Sequence, residues 1–419
     1  MTSTTCTEPD PSTSSTVTEG RPGWPALLRA GGGPRYVVAL VTDAVGSGLL
    51  QPFLLLYAVQ VLHLSVAQAG LAMTVGLMAA LATVPLLGRW IDQGARSTAA
   101  AATILIRVLG VAVLLAGSAL GATPLVGFTV AATFLGIGTQ CWPAAHAALV
   151  ATVAEERLLD GALAAGRAVR NAGLGVGALL AGAATTGGPG ALRLLAAVNA
   201  LGYLVAAGLV FTLRIRGVAL TGTAPAADSR PGRRGGVTVL DVANLPYAFN
   251  FNVLEVALPA FLVTTLHASA AWSAGIFVSN TVLVVLCQVA VVAWLARLGR
   301  RTAMAAAGVV LAASYLGFWL AGLVGGVGAA VGVALMSVVL TLGEIMYTGS
   351  ATALVIATSP PDRLGAALAR FQLSSGIGQA ISPAVLTALL SIDSAALWLP
   401  LAVATLLGAL AFGRKQGSV

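Results

Sequence analysis

Apolar runs long enough to cross a membrane recur along the whole chain, separated by short clusters of glycine, proline and charged residues. A run of about 20 residues forms a helix about 30 Å long, which matches the hydrocarbon core of a bilayer. Of the 419 residues, 58% are hydrophobic and only 9% are charged, so too few polar side chains remain to cover a water-soluble surface. The sequence therefore predicts an all-α membrane protein.

Twelve such runs are present, and we number them spans 1 to 12. The first six are residues 36–59, 66–87, 98–121, 125–151, 162–186 and 192–213, and the second six are residues 239–265, 272–298, 303–324, 327–357, 366–389 and 395–412. The polar stretch TGTAPAADSRPGRRGG, residues 221–236, separates the two sets and is typical of a linker. The predicted organisation is a disordered cytoplasmic tail (1–35), a six-helix bundle (36–213), a cytoplasmic linker (214–238), a second six-helix bundle (239–413) and a short cytoplasmic tail (414–419).

The distribution of Lys and Arg indicates the orientation of the chain in the membrane. With a cytoplasmic N-terminus, 17 of the 22 basic residues fall in tails and loops on that side, and Arg193 alone falls in a loop on the other side. Arg167, Arg170 and Arg370 are expected in the cytoplasmic first turns of spans 5 and 11, and Arg107 lies within span 3. The sequence predicts a multi-pass protein of the cell inner membrane with both termini in the cytoplasm.

Composition also excludes several classes of function. The net charge of +8 is spread between the apolar runs, so nucleic-acid binding is not expected. The Walker A pattern G-x-x-x-x-G-K-[ST] is absent and Lys415 is the only lysine, which excludes ATP-driven transport by this chain. The scattered Cys6, Cys141 and Cys287 have no spacing typical of a metal site, and the histidines, His146 among them, are expected to be incidental. We predict no enzyme activity, no cofactor and no metal, and a chain that functions as a monomer.

The two halves of the sequence resemble each other. ALVATVAEERLLDGALA, residues 148–164, is echoed by ALVIATSPPDRLGAALA, residues 353–369. The echo continues after a shift of two residues, where an offset of 203 aligns Arg167 with Arg370 and Gly173 with Gly376. Spans 4 and 5 therefore correspond to spans 10 and 11, as expected for two six-helix halves related by a parallel repeat.

The loop between spans 2 and 3 carries the most specific motif. GRWIDQGARS, residues 88–97, resembles the pattern G-x-L-A-D-R-x-G-R-K of the major facilitator superfamily, with Gly88, Asp92 and Arg96 on pattern positions. ARLGRR, residues 296–301, is a weaker counterpart between spans 8 and 9, and TDAVGSGLLQPFLLLY, residues 42–57, resembles first spans of this family. Within the superfamily, the chain resembles the bacterial twelve-span drug:proton antiporters. The resemblance implies the two-bundle major facilitator fold and a gating role for the loop; the alternative is that Asp92 and Arg96 form a solvated pair.

Two motifs depart from the antiporter pattern. The family carries an arginine four residues before G-x-G in span 4, where this chain has Ala132 before Gly136-Ile137-Gly138. Ala178 replaces the proline of the span-5 pattern G-x-x-x-G-P-x-x-G-G. Coupling through the usual span-4 arginine is therefore not expected.

Three acids, Asp43, Glu255 and Glu344, fall well inside the predicted spans. An ionised carboxylate inside a membrane costs several kcal/mol unless it is paired or faces water, so these residues are candidates for proton coupling. The alternative is a hydrogen-bonded carboxyl that only fixes helix packing. Arg107 either snorkels to the cytoplasmic interface or serves as a counter-ion for one of the acids.

Polar and aromatic residues within the spans are candidates for a substrate cavity. Asp43, Ser47 and Gln51 recur at i, i+4 and i+8 and form a polar stripe on span 1. The resemblance implies a cavity lined by spans 1, 4, 7 and 10, where the three acids could converge. The predicted cavity residues are Ser47, Gln51, Gln140, Trp142, Tyr247, Asn252, Tyr347, Gln372 and Gln379.

These features predict a secondary active transporter that exports small hydrophobic compounds in exchange for protons by alternating access. Its predicted partners are a small-molecule substrate, protons and the lipid bilayer. One alternative is a proton symporter that imports a polar metabolite, although few basic residues are available to bind an anion. The other is a non-transporting or lipid-handling membrane protein on the same fold, which would show no substrate-dependent proton flux.

Overall fold

The computed structural model describes residues 23–116, 123–184, 187–217 and 239–413. Within these ranges the chain is almost entirely helical, apart from one isolated bridge between Ala95 and Arg216. The first half contains span 1 (Gly33–Leu50 and Leu54–Gln60), span 2 (Val66–Asp92), span 3 (Ser97–Ala116), span 4 (Pro124–Val153), span 5 (Glu156–Ala184) and span 6 (Gly188–Phe211). The second half contains span 7 (Val239–Ala248 and short helical segments to Thr265), span 8 (Ala270–Leu295), span 9 (Arg300–Val324), span 10 (Gly326–Thr358), span 11 (Leu364–Ile392) and span 12 (Ser394–Gly413).

Two spans are not continuous α-helices. Span 1 bends by 41° at the 3-10 turn Gln51–Phe53, where Pro52 removes a backbone N–H donor. Span 7 changes to π-helical turns at Val253–Ala257 and Phe261–Thr265. Such interruptions are frequent at functional sites of helices.

Ten of the described helices are long and apolar enough to cross a membrane, and the bent pair of span 1 makes eleven. Span 5 is 29 residues long, but Arg167, Arg170 and Asn171 lower its hydropathy. It packs against spans 1 and 8, so we count it as the twelfth span. The predicted fold, twelve membrane helices in two six-helix bundles, is confirmed.

The buried apolar side chains form two clusters, one for each half of the chain. The first cluster gathers side chains of spans 1 to 6, and the second gathers side chains of spans 7 to 12. Ala353, Leu364, Leu368 and Ala369 of the second half join the first cluster, because spans 10 and 11 contact the first bundle there. The residue limits predicted for the two bundles remain predictions.

Part of the predicted N-terminal tail is folded. Trp24–Ala30 form a helix, and its Leu27 is buried against Gly161 of span 5. The prediction of disorder through residue 35 is therefore wrong for this segment, because one apolar side chain finds a helix surface to pack on. The rest of the predicted tail, most of the linker and the C-terminal tail lie outside the described residues.

Glycines let spans 1 and 5 approach closely. A Cβ atom at Gly48 would collide with the backbone of Leu174, and one at Gly177 would collide with the backbone of Val45. This close contact supports the packing of span 5 inside the first bundle, although span 5 is the least hydrophobic of the long helices in that half.

Candidate functional site

A cavity of about 440 Å³ lies between the two bundles. Spans 1, 4 and 5 line it from the first half, and spans 7, 8, 10 and 11 line it from the second half. Charged, amide and aromatic side chains share its wall, a combination typical of sites for small molecules. The lining includes Gln140, Trp142, His146, Arg167, Arg170, Asn171, Phe251, Glu344, Tyr347, Phe371, Gln372, Ser375 and Gln379.

Several predicted cavity residues do line this cavity, namely Gln140, Trp142, Tyr347, Gln372 and Gln379. Gln372 Nε2 donates to Gln140 Oε1 at 3.1 Å, which joins spans 11 and 4 across the two bundles. Gln51 lines a smaller adjoining pocket of about 190 Å³, whose wall also includes Gln140.

Three predicted cavity residues hold helices together instead. Ser47 is fully buried in the first bundle. Tyr247 donates its hydroxyl to the Met304 carbonyl at 3.0 Å, and Asn252 donates to the Gln379 carbonyl at 2.9 Å. The prediction that these residues line the cavity is wrong, because each finds a polar partner on a neighbouring element.

Asp43 is held by two arginines from different spans. Its Oδ1 lies 2.8 Å from Arg107 Nη1, and its Oδ2 lies 3.1 Å from Arg170 Nη1. Arg107 also donates to Ser47 Oγ at 3.2 Å, and Ser47 Oγ lies 3.0 Å from the Tyr203 hydroxyl. We call Asp43, Ser47, Arg107, Arg170 and Tyr203 the aspartate cluster.

The aspartate cluster decides between the two roles predicted for Arg107. Its side chain is 0% exposed and reaches Asp43 instead of the interface, so it is a counter-ion and does not snorkel. Gly138 makes room for it, since a Cβ at Gly138 would collide with the Arg107 side chain. A guanidinium from span 3 therefore lies beside span 4, the span that carries no arginine of its own.

Glu344 is the predicted acid that lines the cavity itself. Asn280 Nδ2 donates to Glu344 Oε2 at 2.9 Å and to Thr341 Oγ1 at 3.0 Å, which fixes the carboxylate between spans 8 and 10. The ion pairs within 4.0 Å that the described residues form do not include Glu344. Among the described residues, the hydrogen bond that a side chain of another helix makes to this carboxylate comes from a neutral amide.

The predicted convergence of three acids at the cavity is wrong in two cases. Asp43 is buried behind Arg170, and Arg170 is the member of the pair that lines the cavity. Glu255 is exposed on the first π-helical turn of span 7 and does not belong to the lining. The π-helical turns change the angular positions of side chains on span 7, which a regular helical spacing does not anticipate.

The basic wall of the cavity was not predicted from the sequence. Arg167 and Arg170 were expected in the first turns of span 5, but its helix begins at Glu156, so they lie about three to four turns from its start. With Asn171 they follow i, i+3 and i+4 spacing, which identifies one polar face. This spacing is the feature of the sequence from which a polar face on span 5 could have been predicted.

His146 is not incidental, contrary to the prediction. The Tyr36 hydroxyl lies 2.6 Å from its Nδ1, and its ring lies 5.8 Å from the ring of Tyr36 and 5.7 Å from the ring of Trp142. His146 therefore forms part of the cavity wall on span 4. Its spacing of four residues from Trp142 places both on one helix face.

The candidate gating loop connects the two bundles through Asp92. Its Oδ1 accepts the Gly365 N–H at 2.6 Å and its Oδ2 accepts the Ala366 N–H at 3.0 Å, both at the start of span 11. Gly88 packs against Gly365. Arg96 instead donates to Thr152 Oγ1 at 2.9 Å within its own bundle.

A second contact between the bundles involves the weaker counterpart loop. Arg300 Nη2 lies 3.1 Å from Asp160 Oδ1, which joins the start of span 9 to the start of span 5. Both contacts lie at the membrane face where spans 6 and 7 meet the linker, which we call the linker face. The structure is therefore a state in which the bundles touch at the linker face.

Two six-helix bundles with a polar cavity between them define the class of the protein as a membrane transporter fold. The family model of the Major Facilitator Superfamily matches residues 36–237 and 240–417. The chain belongs to this superfamily, as its motifs indicated. The comparison with curated proteins found no match.

Solved structures similar to this chain have the same fold. A bacterial homologue of the iron transporter ferroportin, in an outward-facing state, has a TM-score of 0.76 at 14% identity, over 90% of this chain and 97% of that chain. The human organic anion transporter MFSD10 (TETRAN) has a TM-score of 0.68 at 12% identity, over 90% and 98%. The E. coli fucose:proton symporter FucP (N162A) has a TM-score of 0.61 at 16% identity, over 90% and 95%.

Proposed function

We propose that the chain is a proton-coupled secondary transporter that moves a small organic molecule through the central cavity, with Glu344 as the proton-binding group. The observation that carries this proposal is the position of Glu344. Its carboxylate lines the cavity, is held by neutral Asn280, and has no basic side chain within ion-pair distance among the described residues.

The surroundings of the two buried acids support Glu344 over Asp43 in this role. Arg107 and Arg170 neutralise Asp43, so a proton added to Asp43 would leave the buried Arg107 and the cavity-lining Arg170 without their acid. The charge on Glu344 has no such partner, and an unpaired charge in a membrane interior is costly. Protonation of Glu344 removes that cost, which couples the protonation state to the conformation of the cavity.

Alternating access would require the linker face to open. Asp92 and the Asp160–Arg300 pair join the bundles at that face and must separate when the halves rock apart. Substrate or a proton in the cavity would shift the balance between the two states by binding one of them more tightly.

The resemblance to antiporters supports export of the substrate in exchange for protons, which remains a prediction. From the sequence, a symporter was disfavoured because few basic residues were available to bind an anion. Arg167, Arg170 and His146 in the cavity wall remove that argument. Symport of a proton with an anionic compound is therefore the second candidate, and Arg167 is the observation that favours it.

The test is substrate-driven proton movement in proteoliposomes, followed with a pH-sensitive dye for panels of organic acids, neutral compounds and lipophilic cations. We expect proton movement in the wild type, its loss in Glu344→Gln, and retained exchange of substrate across the membrane in that variant. Glu255→Gln is the matched control, because it removes an acid that lies outside the cavity lining. Protons moving with the substrate would identify symport, and protons moving against it would identify antiport.

Unchanged proton movement in Glu344→Gln would contradict the role of Glu344. Loss of proton movement in Glu255→Gln alone would transfer that role to span 7.

A further inference from the structure

The buried charges around the cavity do not balance on the side of the first bundle. Arg107 and Arg170 both use Asp43 as their acid, at 2.8 and 3.1 Å. Arg167 lines the cavity as a third guanidinium, and the ion pairs of the described residues do not include it. On this side three positive charges therefore stand against one carboxylate, and Arg167 is the one that does not pair with it.

Arg167 also lacks a full set of hydrogen bonds. Its Nη1 is buried and has no hydrogen-bond partner among the described residues. A buried donor of a charged group is costly to leave unpaired, especially in a membrane interior. Such a group on a cavity wall points to an acceptor that a bound molecule would supply.

Glu344 on the opposite wall does not remove the imbalance. It belongs to the same cavity lining as Arg167, but lies beyond ion-pair distance from it. Even when ionised, it adds one negative charge against a surplus of two positive charges. When it is protonated, the surplus is undiminished.

The sequence repeat provides an internal comparison. Arg370 of span 11 is the counterpart of Arg167, but its side chain is 40% exposed and lies 3.7 Å from Asp241. Arg370 does not belong to the cavity lining. Arg370 is therefore paired with an acid of its own bundle, whereas Arg167, its counterpart in the first half, lines the cavity.

We propose that Arg167 binds the anionic group of the substrate, so that the transported compound is a small organic acid. This inference rests on the proposed function and names its substrate class. A guanidinium binds a carboxylate through two parallel hydrogen bonds, which suits a planar anion. Trp142, Phe251 and Phe371 provide aromatic surface in the same cavity for an apolar body attached to that group.

The test is equilibrium binding to the full chain in lipid nanodiscs at neutral pH, without a proton gradient. The probes are benzoate, phenylacetate and 2-naphthoate, each compared with the uncharged amide and the cationic amine of the same ring. We expect at least one acid to bind about tenfold or more tightly than its amide and amine, which corresponds to about 1.4 kcal/mol. Arg167→Gln should abolish this preference, and Arg167→Lys should keep part of it.

Arg370→Gln is the matched control, since it removes the equivalent charge from the other half of the repeat and should leave the preference unchanged. A preference for the amines, no preference between charged and neutral probes, or a preference that survives Arg167→Gln would overturn the proposal. Binding of acids by a protein that moves no protons would contradict the proposed function and leave this inference intact. Proton-coupled transport of compounds that the Arg167→Gln variant binds as tightly as the wild type would overturn this inference and leave the proposed function intact.

Discussion

At the residue scale, the aspartate cluster explains how the first bundle contains arginines within the membrane. Asp43 and Arg107 are both fully buried and lie 2.8 Å apart. The ring of Tyr203 lies 5.0 Å from the Arg107 guanidinium carbon, which adds a cation–π contact. The cluster therefore gives Arg107 an acid, a hydroxyl acceptor and an aromatic ring, and it keeps one net positive charge because Arg170 pairs with the same carboxylate.

Breaking the Asp43–Arg107 pair should destabilise the fold, because a buried charge would remain unpaired. We expect Arg107→Gln to lower the free energy of unfolding by about 3–5 kcal/mol, and Asp43→Asn to lower it more, since Arg170 also loses its partner. The double variant should lose less than the sum of the two. Reversible denaturation in mixed micelles would measure all three, and strictly additive losses would show that the residues do not interact.

Gly138 should be required for the path of the Arg107 side chain. A Cβ there would collide with that side chain and with the Thr103 carbonyl oxygen, so Gly138→Ala should cost about 1–3 kcal/mol. Gly175→Ala is the matched control, because a Cβ at Gly175 meets nothing within 4 Å. In a helix that control should be neutral or raise stability by up to about 1 kcal/mol. Equal losses in the two variants would contradict the steric explanation.

At the element scale, two kinds of contact join the bundles at the linker face: hydrogen bonds from a carboxylate to backbone N–H groups, and an ion pair. In the loop between spans 2 and 3, Asp92 accepts backbone N–H groups at the start of span 11. In the counterpart loop, Arg300 pairs with Asp160 at the start of span 5. The alignment of residues 148–164 with residues 353–369 pairs Asp160 with Gly365. At this position the first half uses a side-chain carboxylate for the contact between bundles, and the second half uses a backbone N–H group.

The Asp160–Arg300 pair should hold the linker face closed. Asp160→Asn should expose the cavity from that face. We expect several-fold faster labelling of Thr352→Cys, in a background without native cysteines, when a membrane-impermeant reagent is added on the side of the linker face. The charge swap Asp160→Arg with Arg300→Asp should return labelling toward the wild-type rate. Glu155→Gln is the control, because the Glu155–Arg157 pair is exposed and lies within one bundle. An unchanged labelling rate in Asp160→Asn would show that the pair does not restrain this face.

At the scale of the whole molecule, the sequence identified more of the fold than of the site. The apolar runs predicted all twelve spans, because backbone groups in lipid must be satisfied within each helix. The cost of an intramembrane charge singled out Asp43, Arg107 and Glu344, which have polar partners in the structure, and also Glu255, which is exposed outside the cavity lining. These conclusions depend only on the cost of placing unsatisfied backbone groups or unpaired charges in a bilayer.

Hydropathy and the cost of buried charge do not predict which residues of a span line the cavity. His146 and Arg167 line the cavity, whereas Tyr247 and Asn252 bind neighbouring helices, although all four lie on spans. The rotation of each helix about its axis decides which of its faces meets the cavity. That rotation depends on contacts such as the glycine approach of spans 1 and 5, which involve residues far apart in the chain.

The sequence by itself determined that this chain spans a membrane, that its halves repeat, and that it belongs with the major facilitator proteins. Hydropathy, charge bias and short motifs are local properties, so they can be read along the chain. Only the tertiary structure decided that Asp43 pairs with Arg107 and Arg170, and that Arg167 shares a cavity with Glu344. Pairing and cavity lining depend on distances between spans, and these are set by how all the helices pack together.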